Sequence, residues 1–514
     1  MGPAREHPWT TAGALAAVAV ALLPLAYLAV RSADVGGARL AAEILTPRVA
    51  LLTARSLALA GLVGVLCVGL GLGLALLVTR TRVPFRRTLA VLAALPLAVP
   101  SYVAAYAWVA VADLWSGSRF DGFWAAVVVL TLYTYPYVYL PVAAALVGAD
   151  PGPEEVARSL GRTPAETFRE VTLPRLRPAL VSGFLLAALY VLSDFGAVSI
   201  LRVDTFTRAI FTALSSGFDR VGALGLSNVL VLLSLGLLLL GADRSRGRTR
   251  YARSSGARPP GRVRLGRATA PALIGAGGVL ALALGVPGAA LGRWLAAGAS
   301  RPGAASEIAA AAAASLGVSL LGALLTTALA LPLGLLVART PTPAVLLLER
   351  AAYLAHSLPG VVVGLSLVFF GVNVAYPLYQ SVWLLAVAYA ALFLPLAVGA
   401  IAAAAGQATA GVEDAARSLG ATPGAVFRRL TLPLAAPGIG AGAALVLLAC
   451  LKELPATLLL RPTGMDTLAT RVWSHTAVEA YAGAAPYAAL VVLLAAGPTW
   501  ALVHGSGLIG RTHP

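Results

Sequence analysis

Glu154–Pro174 reads EEVARSLGRTPAETFREVTLP, and Glu413–Pro433, 259 positions later, reads EDAARSLGATPGAVFRRLTLP. Thirteen of the 21 aligned positions are identical, and both stretches are polar islands in a chain that is 59% hydrophobic. Only 11% of the 514 residues are charged, against roughly 25% in an ordinary soluble domain. The chain therefore reads as an integral membrane protein.

Crossing the hydrocarbon layer takes about 20 helical residues. Six runs of that kind precede the midpoint, around 11–31, 56–79, 88–111, 122–148, 178–201 and 222–242. Six follow it, around 269–292, 308–338, 345–372, 381–405, 437–460 and 485–507. The first run follows a short basic stretch, yet it exceeds the roughly 7 to 15 apolar residues of a signal peptide and reads as a retained anchor.

The 259-residue shift extends beyond the islands. Ser56–Thr81 ends in LLVTRT and Ser315–Thr340 in LLVART, and Pro100 pairs with Pro359 as Pro178 does with Pro437. One unit is written twice, over 1–243 and 268–514, joined by a segment at 244–267. Six crossings separate the islands, and an even number returns the chain to the side it left. The fold class that follows is all-α integral membrane, about 12 transmembrane helices as two parallel six-helix repeats. Many ion-coupled carriers are built instead from inverted repeats, which counts against that class.

Charge sets the sidedness. With the amino terminus inside, 25 of the 38 basic residues fall on the cytoplasmic side and 13 on the other, as the positive-inside rule requires. Both termini and both islands, within loops 150–178 and 409–437, are then cytoplasmic. Arg244–Arg267, RSRGRTRYARSSGARPPGRVRLGR, holds nine arginines among Gly, Ser and a Pro pair. It reads as a flexible, orientation-setting linker, with nucleic-acid or anionic-lipid binding as the weaker alternative. Cys67 and Cys450 both lie in apolar runs, and the five histidines show no ligand spacing, so no disulfide framework and no metal site is expected. No catalytic residue is expected either.

Within the first island the pattern predicts a short helix with an acidic start, a stop at Gly161, and a second short helix. Thr163, Pro164 and Glu166 supply its cap, first-turn proline and capping-box acid. Pro174 and Pro178 are expected to end that turn and begin the next membrane segment. The second island has Ala425 in place of the acid, so its second helix should be less firmly capped. An amphipathic connector lying on the membrane and a socket for another protein both fit, and the duplicated polar sequence favours the socket.

Glu155, Ala157 and Gly161, followed at fixed distance by Val171, Leu173 and Pro174, resemble the EAA loop of binding-protein-dependent ABC importer permeases. Asp414, Ala415, Ala416, Gly420, Leu430, Leu432 and Pro433 repeat the pattern, with Asp414 for the usual Glu and Val156 for the usual Ala in the first copy. The resemblance implies a type I ABC importer-like permease whose islands are coupling helices. The ATPase-coupling residues it implies are Glu155, Ala157, Leu160, Gly161, Phe168 and Pro174, with Asp414, Ala416, Leu419, Gly420, Phe427 and Pro433 in the second half. It also implies two copies of an ABC ATPase subunit as partners, a periplasmic substrate-binding protein, and a bacterial inner-membrane location. The chain has no G-x-x-x-x-G-K-[ST] loop, and its only lysine is Lys452. No cofactor is expected on this chain; ATP and Mg belong on the partner ATPase.

LSDFGAVSILRVDTFTRA at Leu192–Ala209, LKELPATLLLRPTGMDTLATR at Leu451–Arg471 and LPGVVVGLSLVFF at Leu358–Phe370 look like the fused two-half ferric-iron importer permeases. Thiamine and phosphonate importers have similar fused permeases, and an ion-coupled secondary transporter or a membrane scaffold stands as a further alternative. Asp194 and Glu453 align at the 259 shift. An acid inside the membrane costs about 2.5 to 3.5 kcal/mol on insertion scales, so the two either line the translocation path, sit hydrated at the outer interface, or make structural pairings with neighbours such as Lys452. Tyr133, Tyr135, Tyr137 and Tyr139 are expected to pack or to sit at an interface. Gly69 and Gly73 form a small-xxx-small pair suited to close helix contact.

Overall fold

The computed structural model describes residues 8–116, 120–244, 261–298, 304–340, 342–406, 415–416 and 418–505. Most of the Arg-rich linker, 245–260, lies outside them. Among the described residues the regular structure is helical, and the one extended pairing is a parallel bridge between Thr81 and Val263. Ten helices among the described residues are long and apolar enough to cross a membrane, or 12 crossings if each of two bent pairs counts as one. Each overlaps one of the twelve apolar runs, but the fifth helix of each half, Pro164–Ser193 and Gly424–Lys452, starts and ends earlier than the runs at 178–201 and 437–460.

The third run of each half departs from the continuous helix its hydropathy suggests. Arg86–Ala98 and Ser101–Ala112 meet at 96°, and Pro343–Ala355 and Gly360–Asn373 at 97°. Pro100 and Pro359 stand at the breaks. Proline has no N–H to donate and pushes the preceding residue out of the helical region, and Val99 is accordingly extended at ψ 118°. The fifth run of each half is also interrupted. Leu173–Ser193 stops before a short helix, Gly196–Ile200, and Leu432–Lys452 stops before Pro455–Leu460.

Compactness divides the chain differently from the repeat. One unit comprises Met1–Leu45, Ile210–Val231 and Pro302–Arg471; the other comprises Thr46–Ala209, Leu232–Arg301 and Val472–Pro514. The first spanning helix of each repeat is thus grouped with the core helices of the other repeat. In the first unit Ala304–Arg339 packs on Val382–Ala405 and Leu432–Lys452, and Pro8–Val35 packs on Ala304–Arg339 and Pro343–His356. In the second, Pro47–Arg80 packs on Pro136–Val147 and Leu173–Ser193, and Val286–Gly298 packs on Ser101–Ser116 and Tyr481–Gly505.

Helix Pro47–Arg80 makes its close contacts at glycines other than the expected pair. A Cβ on Gly64 would stand 2.6 Å from the Phe184 ring, and one on Gly71 would stand 2.8 Å from the Tyr139 backbone nitrogen. Open space lies beyond Gly69 and Gly73. The four-residue spacing puts that pair on one face, but the buried stripe runs through Val63, Cys67, Gly71 and Leu74, on another. Tyrosine behaves as expected of packing residues: Tyr133, Tyr135 and Tyr139 are buried, Tyr139 donates to the Ala90 carbonyl at 3.1 Å, and Tyr137 lies 5.3 Å from the Tyr190 ring.

Candidate functional site

Helix Gly152–Ser159 opens the first island with Glu154 and Glu155 in its first turn, where the helix dipole favours acids. It closes in a Schellman motif. Gly161 donates its N–H to the Arg158 carbonyl at 3.0 Å and Arg162 donates to Ala157 at 3.1 Å, an arrangement that needs the positive φ of 85° at Gly161. Thr163 then accepts the Glu166 N–H at 3.3 Å while Glu166 Oε2 accepts the Thr163 N–H at 2.8 Å, a complete capping box. The bonds from Thr163 hold the Glu166 carboxyl below its usual range.

The prolines do begin the next spanning helix, but they do not end the second helix of the island. Pro164–Thr167 passes through a π-helical turn at Phe168–Thr172 directly into Leu173–Ser193. Pro174 cannot donate to the carbonyl four residues back, and its ring crowds that carbonyl; a widened turn relieves both problems. The same turn, Phe427–Thr431, precedes Pro433 in the second half. The second helix of each island therefore continues into a spanning helix without a break.

Of the residues singled out by sequence, Leu160 and Leu419 are 77% and 87% exposed, and Glu155 is also exposed. Ala157, Ala416, Phe168 and Phe427 are half-buried. Phe427 meets the Trp9 ring edge-on at 5.4 Å, so it is packed on its own chain, whereas the leucines point outward. Gly420 has a φ of 86°, and Ala421 donates to Ala416 at 3.0 Å, repeating the first closure. Thr422 accepts the Ala425 N–H at 3.3 Å, with no acid to return the bond. Asp414 lies outside the described residues. Pro174 and Pro433 both stand in the first turn of a spanning helix.

Three residues of the first island region escaped the sequence reading. Glu154 is buried, with Oε2 3.2 Å from Arg80 Nη1 and Oε1 3.1 Å from Arg80 Nη2. The Thr172 hydroxyl donates to the same Oε1 at 3.0 Å. In the second half Arg339 Nη2 donates to Thr431 Oγ1 at 2.8 Å, and the counterpart of Glu154, Glu413, lies outside the described residues. The signal was present in the repeat: Arg80, Glu154 and Thr172 are each unchanged 259 residues later.

Asp194 and Glu453 occupy matching positions away from the islands. Each is buried and each caps the short helix after the break in the fifth run. Asp194 Oδ1 accepts the Ala197 and Val198 N–H groups at 3.0 and 3.2 Å. Glu453 accepts Ala456 N–H on Oε1 and Thr457 N–H on Oε2, both at 3.0 Å. These carboxylates satisfy helix donors that would otherwise be orphaned in an apolar setting. Beside Glu453 a small cleft is lined by Ser315, Ser319, Tyr389 and Thr467. Among the described residues no three His, Cys, Asp or Glu side chains come together.

The duplicated island and the duplicated break both fall inside a family match. The model of the binding-protein-dependent transport system inner membrane component matches residues 67–245 and again 330–502. The chain belongs to that family. The permease is 37% identical over 485 residues to the Fe(3+)-transport system permease protein FbpB 2 of Haemophilus influenzae, covering 93% of this chain and 95% of that one. It is 31% identical over 238 residues to the sulfate transport system permease protein CysT of Escherichia coli, covering 43% of this chain and 84% of the relative. Over 261 residues it is 32% identical to the molybdenum transport system permease protein ModB of Mycobacterium bovis, covering 47% and 96%. Those two relatives match about half of the permease, whereas the Haemophilus protein matches nearly all of it. Membership and the apolar helices make the permease a multi-pass membrane component of a transport system.

Proposed function

We propose that this permease is the whole translocation channel of an ABC importer in the bacterial inner membrane. Its substrate is ferric iron delivered by a periplasmic binding protein, and two copies of a separate ATPase, carrying ATP and Mg, drive it. The observation that carries the iron reading is the likeness to an Fe(3+)-transport permease along nearly the full length of both chains. Each island takes one ATPase copy, with both termini and both islands on the cytoplasmic side. The exposed leucines and the glycine-closed helix ends support a docking role. Glu155, Ala157, Phe168 and Pro174, with Asp414, Ala416, Phe427 and Pro433, frame the two sockets.

Because the second helix of each island runs unbroken into a spanning helix, closure of the ATPase pair moves that helix and opens the translocation path outward. Asp194 and Glu453 act at the breaks of the fifth spans, holding the short helices that follow.

The test is reconstitution of the permease with its ATPase and binding protein in proteoliposomes, offering ferric iron, thiamine or a phosphonate. ATP-dependent iron uptake that requires the binding protein is expected. Uptake of thiamine or phosphonate without iron would overturn the substrate. Uptake that persists without ATP and collapses with the proton gradient would overturn the ABC reading in favour of an ion-coupled carrier.

A further inference from the structure

The Arg80–Glu154 pair has its side chains only 13% and 11% exposed, so neither group is part of the outward face of the island. It joins three elements: the end of Pro47–Arg80, the first helix of the island, and the π-turn that leads into Leu173–Ser193. At that π-turn the backbone ladder of the continuous helix departs from the α-helical pattern, and Thr172 ties it directly to Glu154. The Arg80 carbonyl also accepts the Val263 N–H at 2.9 Å, which fixes the backbone at this helix end.

A buried ion pair is weak evidence for stability, since apolar side chains of similar volume commonly serve as well or better. What such a pair does supply is a defined geometry. In the second half the equivalent arginine donates directly to the equivalent threonine, and Glu413 is the sequence counterpart of Glu154.

We infer that Arg80 with Glu154 and Thr172, and Arg339 with Thr431, are positioning residues for energy coupling: each set clamps its island to two spanning helices, so that a displaced island carries both. The inference rests on the proposed docking of an ATPase at the islands. Without the clamp the island loses its tie to the end of Pro47–Arg80, and its displacement is taken up at the π-turn.

The experiment uses the reconstituted importer with Glu154→Gln and Arg339→Gln, measuring ATPase copies retained on the purified permease and substrate moved per ATP hydrolysed. Retention is expected to be unchanged, while substrate moved per ATP falls by about tenfold, within the usual range of site-to-site coupling. Arg80→Lys keeps the charge but loses the two-pronged contact and should fall between; the exchange Arg80→Glu with Glu154→Arg should recover part of the loss. If Glu154→Gln does not fold, Thr172→Val removes a single donor and should lower the ratio in the same direction. An unchanged ratio in these variants overturns the clamp, as does a loss that follows from loss of bound ATPase. A native permease that retains no ATPase overturns the docking reading instead, so the two failures are distinguishable.

Discussion

A Cβ on Gly360 would stand only 2.5 Å from Glu453 Oε1, so the carboxylate at the break of the fifth span occupies the space beside the bend of the third. One repeat earlier, Ser101 stands at the position of Gly360, and its side chain bonds Asp194. The halves thus solve one packing problem in two ways, with a short acid and a serine in one and a longer acid and a glycine in the other. In each half the acid at the break of the fifth span stands against the bend of the third.

Gly360→Ser is therefore expected to destabilise the permease by about 1 to 3 kcal/mol, as overpacking of a filled site does. Glu453→Asp shortens the acid and should recover most of that loss when combined with it, giving a large interaction energy in the double-mutant cycle. The melting temperature of the purified permease reads this directly. Equal melting of Gly360→Ser and the native chain would show that the site is not filled.

Gly161 and Gly420 hold φ values of 85° and 86°, which cost a residue with a side chain about 1 to 2 kcal/mol. Proline cannot adopt them at all. Gly161→Pro combined with Gly420→Pro should break both helix closures, while the spanning helices, which draw their stability from packing elsewhere, remain. In the reconstituted importer, stimulation of ATP hydrolysis by loaded binding protein should be lost; unchanged stimulation would sink the coupling assignment of the islands.

Much of this architecture was legible because the membrane imposes long apolar runs, and because a shift of 259 residues aligns Arg80 with Arg339 and Asp194 with Glu453. The 96° and 97° bends were not, although Pro100 and Pro359 marked their positions. A proline says where a ladder fails, but neighbouring helices decide whether the chain kinks or turns. Pro174 shows the other outcome, a helix that absorbs its proline in a π-turn and continues. Glu154 was hidden for a different reason. It lies beside the motif acid Glu155 and looks like a second solvated charge until Arg80, 74 residues earlier, is seen to bury it.

The outward leucines separate docking from folding. Leu160→Asp and Leu419→Asp alter side chains that are 77% and 87% exposed, and changes at such positions usually stay within about 0.5 kcal/mol in stability. Each substitution places a charge where a partner would bury an apolar anchor. Melting should be unaltered and ATPase retention on the purified permease should drop, with both substitutions together releasing it. Retention equal to that of the native permease would move the docking surface elsewhere.

The two islands differ at their second caps, and that difference has a measurable consequence. Thr163 and Glu166 exchange two bonds, whereas Thr422 accepts one from Ala425, whose side chain has no acceptor for a bond in return. Loss of a capping partner costs roughly 0.5 to 2 kcal/mol of local helix stability, so amide exchange at Thr163 in the native permease should be slower than at Thr422. Glu166→Ala should remove that asymmetry by speeding exchange in the first island, and Ala425→Glu should remove it by slowing exchange in the second. If the ATPase copies act on equivalent sockets, transport should be insensitive to both changes; if closure is led by the better ordered island, Ala425→Glu should raise substrate-stimulated hydrolysis and Glu166→Ala should lower it. The capped helix leads directly into a spanning helix only in its folded form, which favours the second outcome: an unwound first turn would let the island move without pulling on Leu173–Ser193.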